Sequence, residues 1–475
     1  MKLTFCGAAK IVTGSCYLIE LENTKTKNSK DKKSKKYLVD CGMFQGSKEI
    51  SKKNYQSFPF NPKEISAVFL THAHIDHSGL LPKLKKHGFK GKIYATPATT
   101  DLCEVMLADS AHVQEMNIKD KNKERKEKGL KPIKPLYNSQ DAKKTQRLFQ
   151  KTSYNKKTKI NNKISVRFRD AGHIVGSSII ELSINESSSN SKTNKEKKLV
   201  FSGDLGQWKS PIVKSPEIIK KADYVFIEST YGDRLHESGE KSVKKLKKAI
   251  KRTYKKRGKL MIPSFAVERT QQLLYGFKIL QKKGKFPNEK VFLDSPLAIK
   301  VTKIFDKHQE IFNKKIGKIE NPFRFNKLKT TSSVKDSKKI NNYQDPCIII
   351  AGSGMVTGGR ILHHLKHNIE DSKNSILFVG YQAEGTTGRE ILQGKKQIEI
   401  MNENLKVKSK IYSIESLSAH ADYKELIKWI KGFKKKPERV FITHGEKKSS
   451  ESLKSKLKRK GYNCHIPSLR ETVKL

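Results

Sequence analysis

Residues 67–79 read AVFLTHAHIDHSG, and no other segment of the chain says more about its fold and chemistry. The apolar run 67–70 predicts a buried strand. Three histidines and one aspartate follow it within six positions: His72, His74, Asp76 and His77. Imidazole nitrogens and carboxylate oxygens are typical ligands of hydrolytic zinc ions. The segment therefore predicts a metal site directly after a buried strand.

The spacing inside this cluster indicates two metals rather than one. Side chains two residues apart in an extended segment point the same way, so His72 and His74 can bind one ion. Asp76 and His77 lie where the chain turns toward a helix predicted over 79–87, so they can face a second ion. A polar turn that is rich in histidine by chance is the simpler alternative.

The charge of the chain is strongly basic, with 99 Lys and Arg against 47 Asp and Glu and a formal net charge of +52. Such a charge indicates a polyanionic partner, most simply nucleic acid. Lys-rich polar stretches over 23–36, 118–134 and 185–198 are interpreted as surface loops, the first and third as hairpin loops between adjacent strands. Compositional drift toward Lys would give the same pattern.

Cysteine usage and hydropathy narrow the class of protein. The six cysteines are scattered without a C-x-x-C pair, which argues against a disulfide framework and against a Cys-type zinc site. No apolar stretch reaches the roughly 18 residues that a membrane span needs. No signal-peptide pattern precedes the strand-like run at 3–5. We therefore expect a cytoplasmic protein that does not bind membranes.

The pattern of apolar runs changes along the chain. Over 1–230, strand-like runs alternate with helical patterns, which predicts a two-sheet core covered by helices. Residues 231–410 contain strand–turn–helix units typical of a small parallel α/β domain. Residues 411–475 return to strand, helix and strand, and we predict that they complete the first domain.

Short polar motifs follow several other apolar runs, and each alone is more typical of a turn than of a ligand. The residues concerned are Asp40, His173, Asp204, Glu228, His420 and His444. A dinuclear site needs roughly three His or Asp side chains per metal and a bridge. The predicted first set is His72, His74, His173 and Asp204; the second set is Asp76, His77, His444 and the shared Asp204.

The order of these motifs resembles the metallo-β-lactamase superfamily, specifically its β-CASP nuclease branch, over nearly the whole chain. The hallmark H-x-H-x-D-H is intact at 72–77, and the remaining family motifs match the six residues named above. The resemblance implies an α/β fold: a four-layer αββα sandwich with an inserted parallel α/β β-CASP domain.

The resemblance also implies an activity: a zinc-dependent ribonuclease with two Zn²⁺ per chain, acting on single-stranded RNA in processing or decay. Products would carry 5′-phosphate and 3′-hydroxyl ends. His420 would be the general acid, with Glu228 to orient it and Asp76 beside them as a catalytic residue and ligand. Asp40 would hold the 72–77 loop by hydrogen bonds. RNA-processing members carry His at the position of His444.

Residues for RNA binding are predicted with less support from the pattern. The Gly-rich segment 352–360 lies between a strand and a helix, where backbone N–H groups can bind a phosphate. The candidates are Ser353, Gly354, Thr357, Arg269 and Ser418. A plain Gly-rich connection is the alternative. His363, His364 and His367 share one helix, and we interpret them as a solvated or cleft-lining face rather than a metal site.

Several functional alternatives stay open at this stage. An endonuclease is expected, with 5′–3′ exonuclease activity and a homodimer as further options. The same fold also serves small-molecule thioester and lactone hydrolases, although a small substrate needs no basic domain over 231–410. A non-catalytic RNA-binding subunit is a third class, and a DNA nuclease a weaker fourth.

Overall fold

A computed structural model describes residues 1–21, 35–186, 195–284, 289–414 and 418–475 of the chain. Two compact units are present: unit 1 comprises Met1–Leu235 with His420–Leu475, and unit 2 comprises His236–Ala419. The sequence predicts divisions at 230/231 and 410/411, and these predicted domain limits stay a prediction. None of the helices in the described residues is long and apolar enough to cross a membrane.

Unit 1 contains two seven-stranded sheets. The first has the order β22-β1-β2-β3-β4-β5-β6 and the second β21-β20-β11-β10-β9-β8-β7. The strands are β1 (Lys2–Phe5), β2 (Tyr17–Leu21), β3 (Lys35–Val39), β4 (Ile65–Phe69), β5 (Lys92–Ala95), β6 (Phe149–Lys151), β7 (Thr158–Lys159), β8 (Ile164–Asp170), β9 (Ser178–Glu186), β10 (Lys195–Phe201), β11 (Tyr224–Glu228), β20 (Arg439–Thr443), β21 (Cys464–His465) and β22 (Thr472–Lys474).

Aromatic side chains from both sheets of unit 1 form the core between them. The ring centroids of Phe5 and Phe226 are 6.1 Å apart, and those of Tyr17 and Phe201 are 5.2 Å apart. All four rings belong to one buried apolar cluster. Burial of such rings is the main stabilising contribution to a two-sheet core.

Helices cover the outer faces of the two sheets. They are α1 (Lys48–Lys52), α2 (Ile75–Ser78), α3 (Leu81–Lys86), α4 (Pro97–Glu127), α5 (Ser139–Gln146), α12 (Tyr423–Ile430) and α13 (Lys447–Lys458), with 3₁₀ turns at Lys53–Tyr55 and Pro62–Glu64. On the second sheet, Trp429 of α12 and Leu453 of α13 pack in one cluster with Val200 and Ile227. The predicted four-layer αββα arrangement is confirmed.

Unit 2 is built around a six-stranded sheet of order β14-β13-β15-β12-β16-β19, in which every pair is parallel. Its strands are β12 (Lys259–Pro263), β13 (Lys290–Leu293), β14 (Leu328–Thr330), β15 (Cys347–Ala351), β16 (Ser375–Phe378), the hairpin β17 (Gln397–Ile400) and β18 (Glu403–Lys406), and β19 (Lys410–Ser413). Its helices are α6 (Gly239–Lys255), α7 (Arg269–Lys282), α8 (Pro296–Lys307), α9 (Val334–Asn341), α10 (Arg360–Asn368) and α11 (Thr387–Leu392), with 3₁₀ turns at Gln309–Ile311 and Ile316–Lys318. The predicted parallel α/β insertion is confirmed.

The second and third Lys-rich stretches are not entirely loops, as the sequence predicts them to be. Helix α4 continues through the second stretch as far as Glu127, because Lys, Glu and Arg are good helix formers even without an apolar face. Strands β9 and β10 extend to Glu186 and from Lys195, into both ends of the third stretch. Residues 23–34 of the first stretch lie outside the described residues.

Candidate metal centre

The predicted metal ligands all lie in unit 1, in the segments that follow its strands. Strands β8, β10 and β20 run in the same direction, because β9 is antiparallel to both β8 and β10 while β10, β11 and β20 pair in parallel. Their carboxyl ends therefore meet at one edge of the second sheet. His173 follows β8, Asp204 follows β10 and His444 follows β20.

The segment after β4 contains a helical turn that the sequence did not predict. Asp76 and His77 lie in this turn, α2. The helix predicted over 79–87 is present as α3, which begins two residues after Gly79 and ends at Lys86. The second residue of α3 is a proline, which favours the first turn of a helix. The hydroxyl of Ser78 donates to the carbonyl oxygen of Ala73 at 3.0 Å and so fixes the turn.

One group of ligand atoms comes from His72, His74, His173 and Asp204, and these atoms lie within 4.8 Å of one another. Nε2 of His72 is 3.1 Å from Nδ1 of His74, and Nε2 of His173 is 3.2 Å from the same Nδ1. Two ligands of a tetrahedral zinc ion, each about 2.0–2.1 Å from the metal, lie about 3.3 Å apart. The three nitrogens therefore fit the ligand spacing of one metal ion.

A second group comes from Asp76, His77 and His444. Nε2 of His77 is 3.0 Å from Nε2 of His444, which is 3.4 Å from Oδ2 of Asp76. Asp204 lies between the two groups: its Oδ2 is 3.3 Å from Nε2 of His72, and its Oδ1 is 3.3 Å from Nε2 of His77. A carboxylate with one oxygen toward each group can bridge two metal ions.

The electrostatics of the two groups differ. Burial lowers the pKa of His72 to about 3 and that of His74 to about 4, and it lowers the pKa of His173 well below its usual value. These imidazoles are neutral, which is the form that binds a metal. Burial also acts to lower the pKa of His77, but two carboxylates, Asp204 first, raise it well above its usual value. The two carboxylates therefore favour a positive charge at His77.

Asp40 lies buried beneath the cluster and holds one of its histidines. Its Oδ2 accepts a hydrogen bond from Nδ1 of His77 at 2.7 Å, and its Oδ1 accepts one from the backbone N–H of Thr71 at 2.8 Å. The Thr71 hydroxyl is 3.0 Å from both Asp40 oxygens and 3.1 Å from Nδ1 of His72. Sequence reasoning missed Thr71, because its place between β4 and His72 is not by itself a specific signal.

His420 and Glu228 form a pair next to the cluster. Nδ1 of His420 is 3.1 Å from Oε1 of Glu228 and 4.0 Å from Oδ2 of Asp204. Glu228 is fully buried, and its oxygens accept from the backbone N–H groups of Leu205 at 2.8 Å and Thr230 at 3.2 Å. Burial acts to lower the pKa of His420, but Glu228 and Asp204 raise it. A protonated imidazole at this position can donate a proton.

The residues predicted to bind RNA phosphates lie in unit 2, whereas the ligand cluster lies in unit 1. In the loop between β15 and α10, the N–H of Thr357 donates to Oγ of Ser353 at 2.9 Å. A Cβ on Gly354 would lie 2.5 Å from the Phe265 ring, so a larger residue there would require the ring to move. Thr357 is exposed, so its hydroxyl is accessible to a ligand.

The other two candidates are less accessible. Arg269 opens α7 and is buried, with Nη1 donating to Oε1 of Gln272 at 2.9 Å. Ser418 is also buried. Their contact with RNA stays a prediction.

His364 corrects one interpretation of the sequence. It is fully buried, with Nε2 donating to Oδ2 of Asp294 at 2.7 Å and Nδ1 3.1 Å from Oδ1 of Asn341. The prediction that this residue lies on a solvated or cleft-lining helix face is therefore wrong. It belongs to a buried network in which Asp294 also accepts from Arg360 at 2.7 Å.

Three family models match the chain. The metallo-beta-lactamase superfamily matches residues 11–131, the Beta-Casp domain residues 270–391, and the Zn-dependent metallo-hydrolase RNA specificity domain residues 404–467. Together with the His/Asp cluster, the zinc-dependent hydrolase models indicate a metal site.

Relatives match over most of their length. Ribonuclease TTHA0252 of Thermus thermophilus is 33% identical over 480 residues, covering 100% of both chains. The transcription termination factor FttA of Methanocaldococcus jannaschii is 32% identical over 94% of this chain and 67% of its own length. An RNase J-like protein of the same archaeon is 31% identical over 95% of this chain and 94% of its own. With the fold, the motif order and a relative that matches from end to end, the chain belongs to the β-CASP branch of the metallo-β-lactamase superfamily.

Proposed function

We propose that the chain is a zinc-dependent ribonuclease, an endonuclease that hydrolyses RNA phosphodiesters to 5′-phosphate and 3′-hydroxyl ends. The observation that carries this proposal is Asp204, whose two oxygens face two groups of His and Asp ligands beside a His–Glu pair. RNA as the substrate is supported by the RNA specificity domain matched over 404–467 and by relatives named ribonuclease and RNase J-like protein.

Two zinc ions per chain are proposed, with Asp204 shared between them. The first would be held by His72, His74 and His173, and the second by Asp76, His77 and His444. Imidazole and carboxylate donors suit zinc, and the nitrogen spacing of 3.0–3.2 Å within each group agrees with a tetrahedral ion. When bound, zinc supplies Lewis acidity, which acidifies a water molecule and offsets negative charge on the phosphate.

The protein's own side chains supply the proton and the positioning. His420 donates the proton that the leaving ribose oxygen needs, and Glu228 accepts from Nδ1 of its ring, which orients the ring and favours its charged form. Asp40 and Thr71 fix Nδ1 of His77, so that Nε2 faces the second metal position. Asp76 contributes as a ligand beside His444.

Unit 2 is proposed to bind phosphates of single-stranded RNA. The residues are Ser353, Gly354, Thr357, Arg269 and Ser418. The tight, glycine-dependent loop after β15 supports the first three, because backbone N–H groups before a helix can receive a phosphate. The homodimer stays a prediction for sedimentation analysis. A cytoplasmic location is supported by six buried, unpaired cysteines.

One experiment tests the function directly. Purified protein is incubated with matched single-stranded RNA and DNA, with and without a chelator. We expect RNA cleavage that the chelator abolishes and that His74→Ala or Asp204→Ala also abolishes. His112→Ala, which alters an exposed histidine on α4, should cleave as the wild type does.

The outcomes separate the remaining classes. Undiminished RNA cleavage by either site variant contradicts the proposal. Thioester hydrolysis without RNA cleavage would indicate a small-molecule hydrolase, and zinc binding with RNA binding but no turnover a non-catalytic subunit. Mapping of the new RNA ends distinguishes endonuclease from 5′–3′ exonuclease activity.

A further inference from the structure

A basic groove lies between α12 and α13 in unit 1, the two helices on either side of His444 in the sequence. Its volume is about 400 Å³, a size that fits small organic ligands. The lining residues are Tyr423, Lys424, Ile427, Lys456, Arg459 and Lys460. Four of the six are cationic and none is acidic, so the groove selects for an anion.

The cations of this groove are not neutralised by nearby carboxylates. Within the described residues, none of the four lies within 4.0 Å of an Asp or Glu oxygen, in contrast to Lys36 and Lys366, which pair with glutamates. Lys424, Arg459 and Lys460 are exposed. Their charge is therefore available to a ligand.

Tyr423 gives the groove an aromatic surface. Nζ of Lys456 lies 4.6 Å from the centroid of its ring, and the same Nζ donates to the carbonyl oxygen of Gly232 at 3.4 Å. Tyr423 is half-buried and lines the groove. An aromatic ring beside several cations is the combination that binds single-stranded nucleic acid by stacking and by phosphate contacts.

A chain of contacts through Tyr231 and Arg234 links Tyr423 of the groove to His420. The Tyr231 ring is 6.2 Å from the His420 ring, and the guanidinium of Arg234 lies 5.7 Å from the centroid of Tyr231. The carbonyl oxygen of Arg234 accepts from the N–H of Tyr423 at 3.4 Å. Three peptide units separate His420 from Tyr423, a span of at most about 11 Å. A strand that is cut beside His420 can therefore reach the groove within a few nucleotides.

We propose that this groove binds a nucleotide of single-stranded RNA flanking the scissile bond, with its base on Tyr423 and its phosphates on Lys424, Arg459 and Lys460. The inference rests on the proposed ribonuclease function, since RNA at His420 is what brings a strand to the groove. The aromatic surface and the path to His420 favour RNA over an acidic polypeptide.

Two pairs of variants test the groove on the zinc-loaded protein. Tyr423→Ala is compared with Tyr423→Phe, which keeps the ring. Lys424→Ala/Lys460→Ala is compared with Lys143→Ala/Lys144→Ala, an equal loss of charge at exposed positions on α5. Binding of a cleavage-resistant phosphorothioate RNA is measured by fluorescence anisotropy over a range of salt, and KM and kcat are measured on long and short RNA.

The expected results are specific to the groove. Tyr423→Ala should weaken binding roughly tenfold, the effect of one lost base stack, whereas Tyr423→Phe should bind as the wild type does. The double lysine variant should lower the salt slope by about 1.4, at about 0.7 per lost phosphate contact. KM should rise on long RNA at unchanged kcat, and short RNA that ends before the groove should be unaffected.

The proposal is overturned if Tyr423→Ala binds RNA as tightly as Tyr423→Phe does. It is also overturned if the Lys143→Ala/Lys144→Ala variant loses as much RNA affinity as the Lys424→Ala/Lys460→Ala variant. Displacement of the RNA by polyglutamate with no effect of Tyr423→Ala would identify an acidic-polypeptide site instead. If the proposed ribonuclease function is wrong instead, the pattern differs. The wild-type protein would then cleave no RNA, whereas the RNA affinities of the groove variants could still be compared with that of the wild type.

Discussion

Among the single residues, Asp204 has the most demanding environment. Burial acts to raise the pKa of its carboxyl, but the surrounding imidazoles, His444 first, hold the pKa well below its usual value. The carboxylate is therefore ionised, as a bridge between two cations must be. Its distance of 4.0 Å to His420 is longer than its 3.3 Å contacts with His72 and His77. That difference separates the proposed ligands from the proposed proton donor.

Replacement of His420 by Ala tests this separation. RNA cleavage should slow by roughly 10²- to 10⁴-fold, the usual contribution of a general acid, because the leaving oxygen loses its proton source. Zinc content, measured by plasma mass spectrometry, should stay close to the wild-type value. Asp204, Glu228 and His420 also lie close enough to hold an ion themselves. A variant that loses zinc along with activity would make His420 a ligand and contradict its role as the acid.

The candidate ligands over 72–77 could be picked out from the sequence because His and Asp at this spacing are uncommon and chemically specific. Thr71 could not, since threonine after a strand is ordinary. Its role depends on Asp40, which is 31 positions away and reaches it only through the fold. Likewise His364 looked exposed because its partner Asp294 lies 70 positions earlier in the chain.

Among the elements, α2 depends on the backbone of the segment after β3. The N–H of Cys41 donates to the carbonyl oxygen of His77 at 2.9 Å, and the N–H of Met43 donates to that of Ile75 at 2.9 Å. Between them, a Cβ on Gly42 would lie 1.7 Å from the carbonyl oxygen of Asp76. Asp76 and His77 are thus positioned by main-chain contacts, and these contacts leave no room for a side chain at position 42.

Gly42→Ala should displace α2, because the obstructing atom is backbone and cannot rotate away. We expect a lower melting temperature and a loss of zinc from the second position, measured by differential scanning fluorimetry and metal analysis. Gly276→Ala in α7 is the matched control. Its Cβ would meet nothing within 4 Å, and alanine is the better helix former, so it should be neutral or slightly stabilising. Wild-type zinc and stability in Gly42→Ala would contradict this account.

Strands were easier to predict than helix ends. The β12 and β15 limits follow from short apolar runs with polar flanks, which leave little choice of boundary. Helix α4 continues far beyond its apolar residues, because intrinsic propensity rather than burial sustains its last turns. The short helix α2 lacks a periodic pattern altogether, so its existence depends on the contacts just described.

At the scale of the whole molecule, the buried carboxyl of Asp170 makes the free energy of unfolding depend on pH. Asp170, at the end of β8, has its pKa raised to about 7, first by burial and then by Glu217, while a hydrogen bond from Gly172 acts in the opposite direction. A carboxyl whose folded pKa is raised binds more protons in the folded than in the unfolded state. Its contribution to stability is therefore present below about pH 4 and is lost as pH rises toward 7.

Asp170→Asn should remove that pH dependence while keeping the acceptor for Gly172. Denaturant midpoints at pH 5 and pH 8 should differ less in the variant than in the wild type, and the variant should be the more stable of the two at pH 8. Asp120→Asn, which alters an exposed carboxylate on α4, serves as the control and should leave the wild-type difference unchanged. An equal difference in Asp170→Asn and wild type would exclude Asp170 as the source.

Unit 1 is assembled from both ends of the chain, and this has a consequence for biosynthesis. A ribosome that has made residues 1–235 has synthesised every member of the first ligand group, from His72 to Asp204. His420 and His444 follow only after all of unit 2 has been translated. On the proposed mechanism, a nascent chain therefore has neither its proton donor nor its second metal position. The nascent chain therefore cannot cleave the messenger RNA that encodes it before residue 444 has been translated.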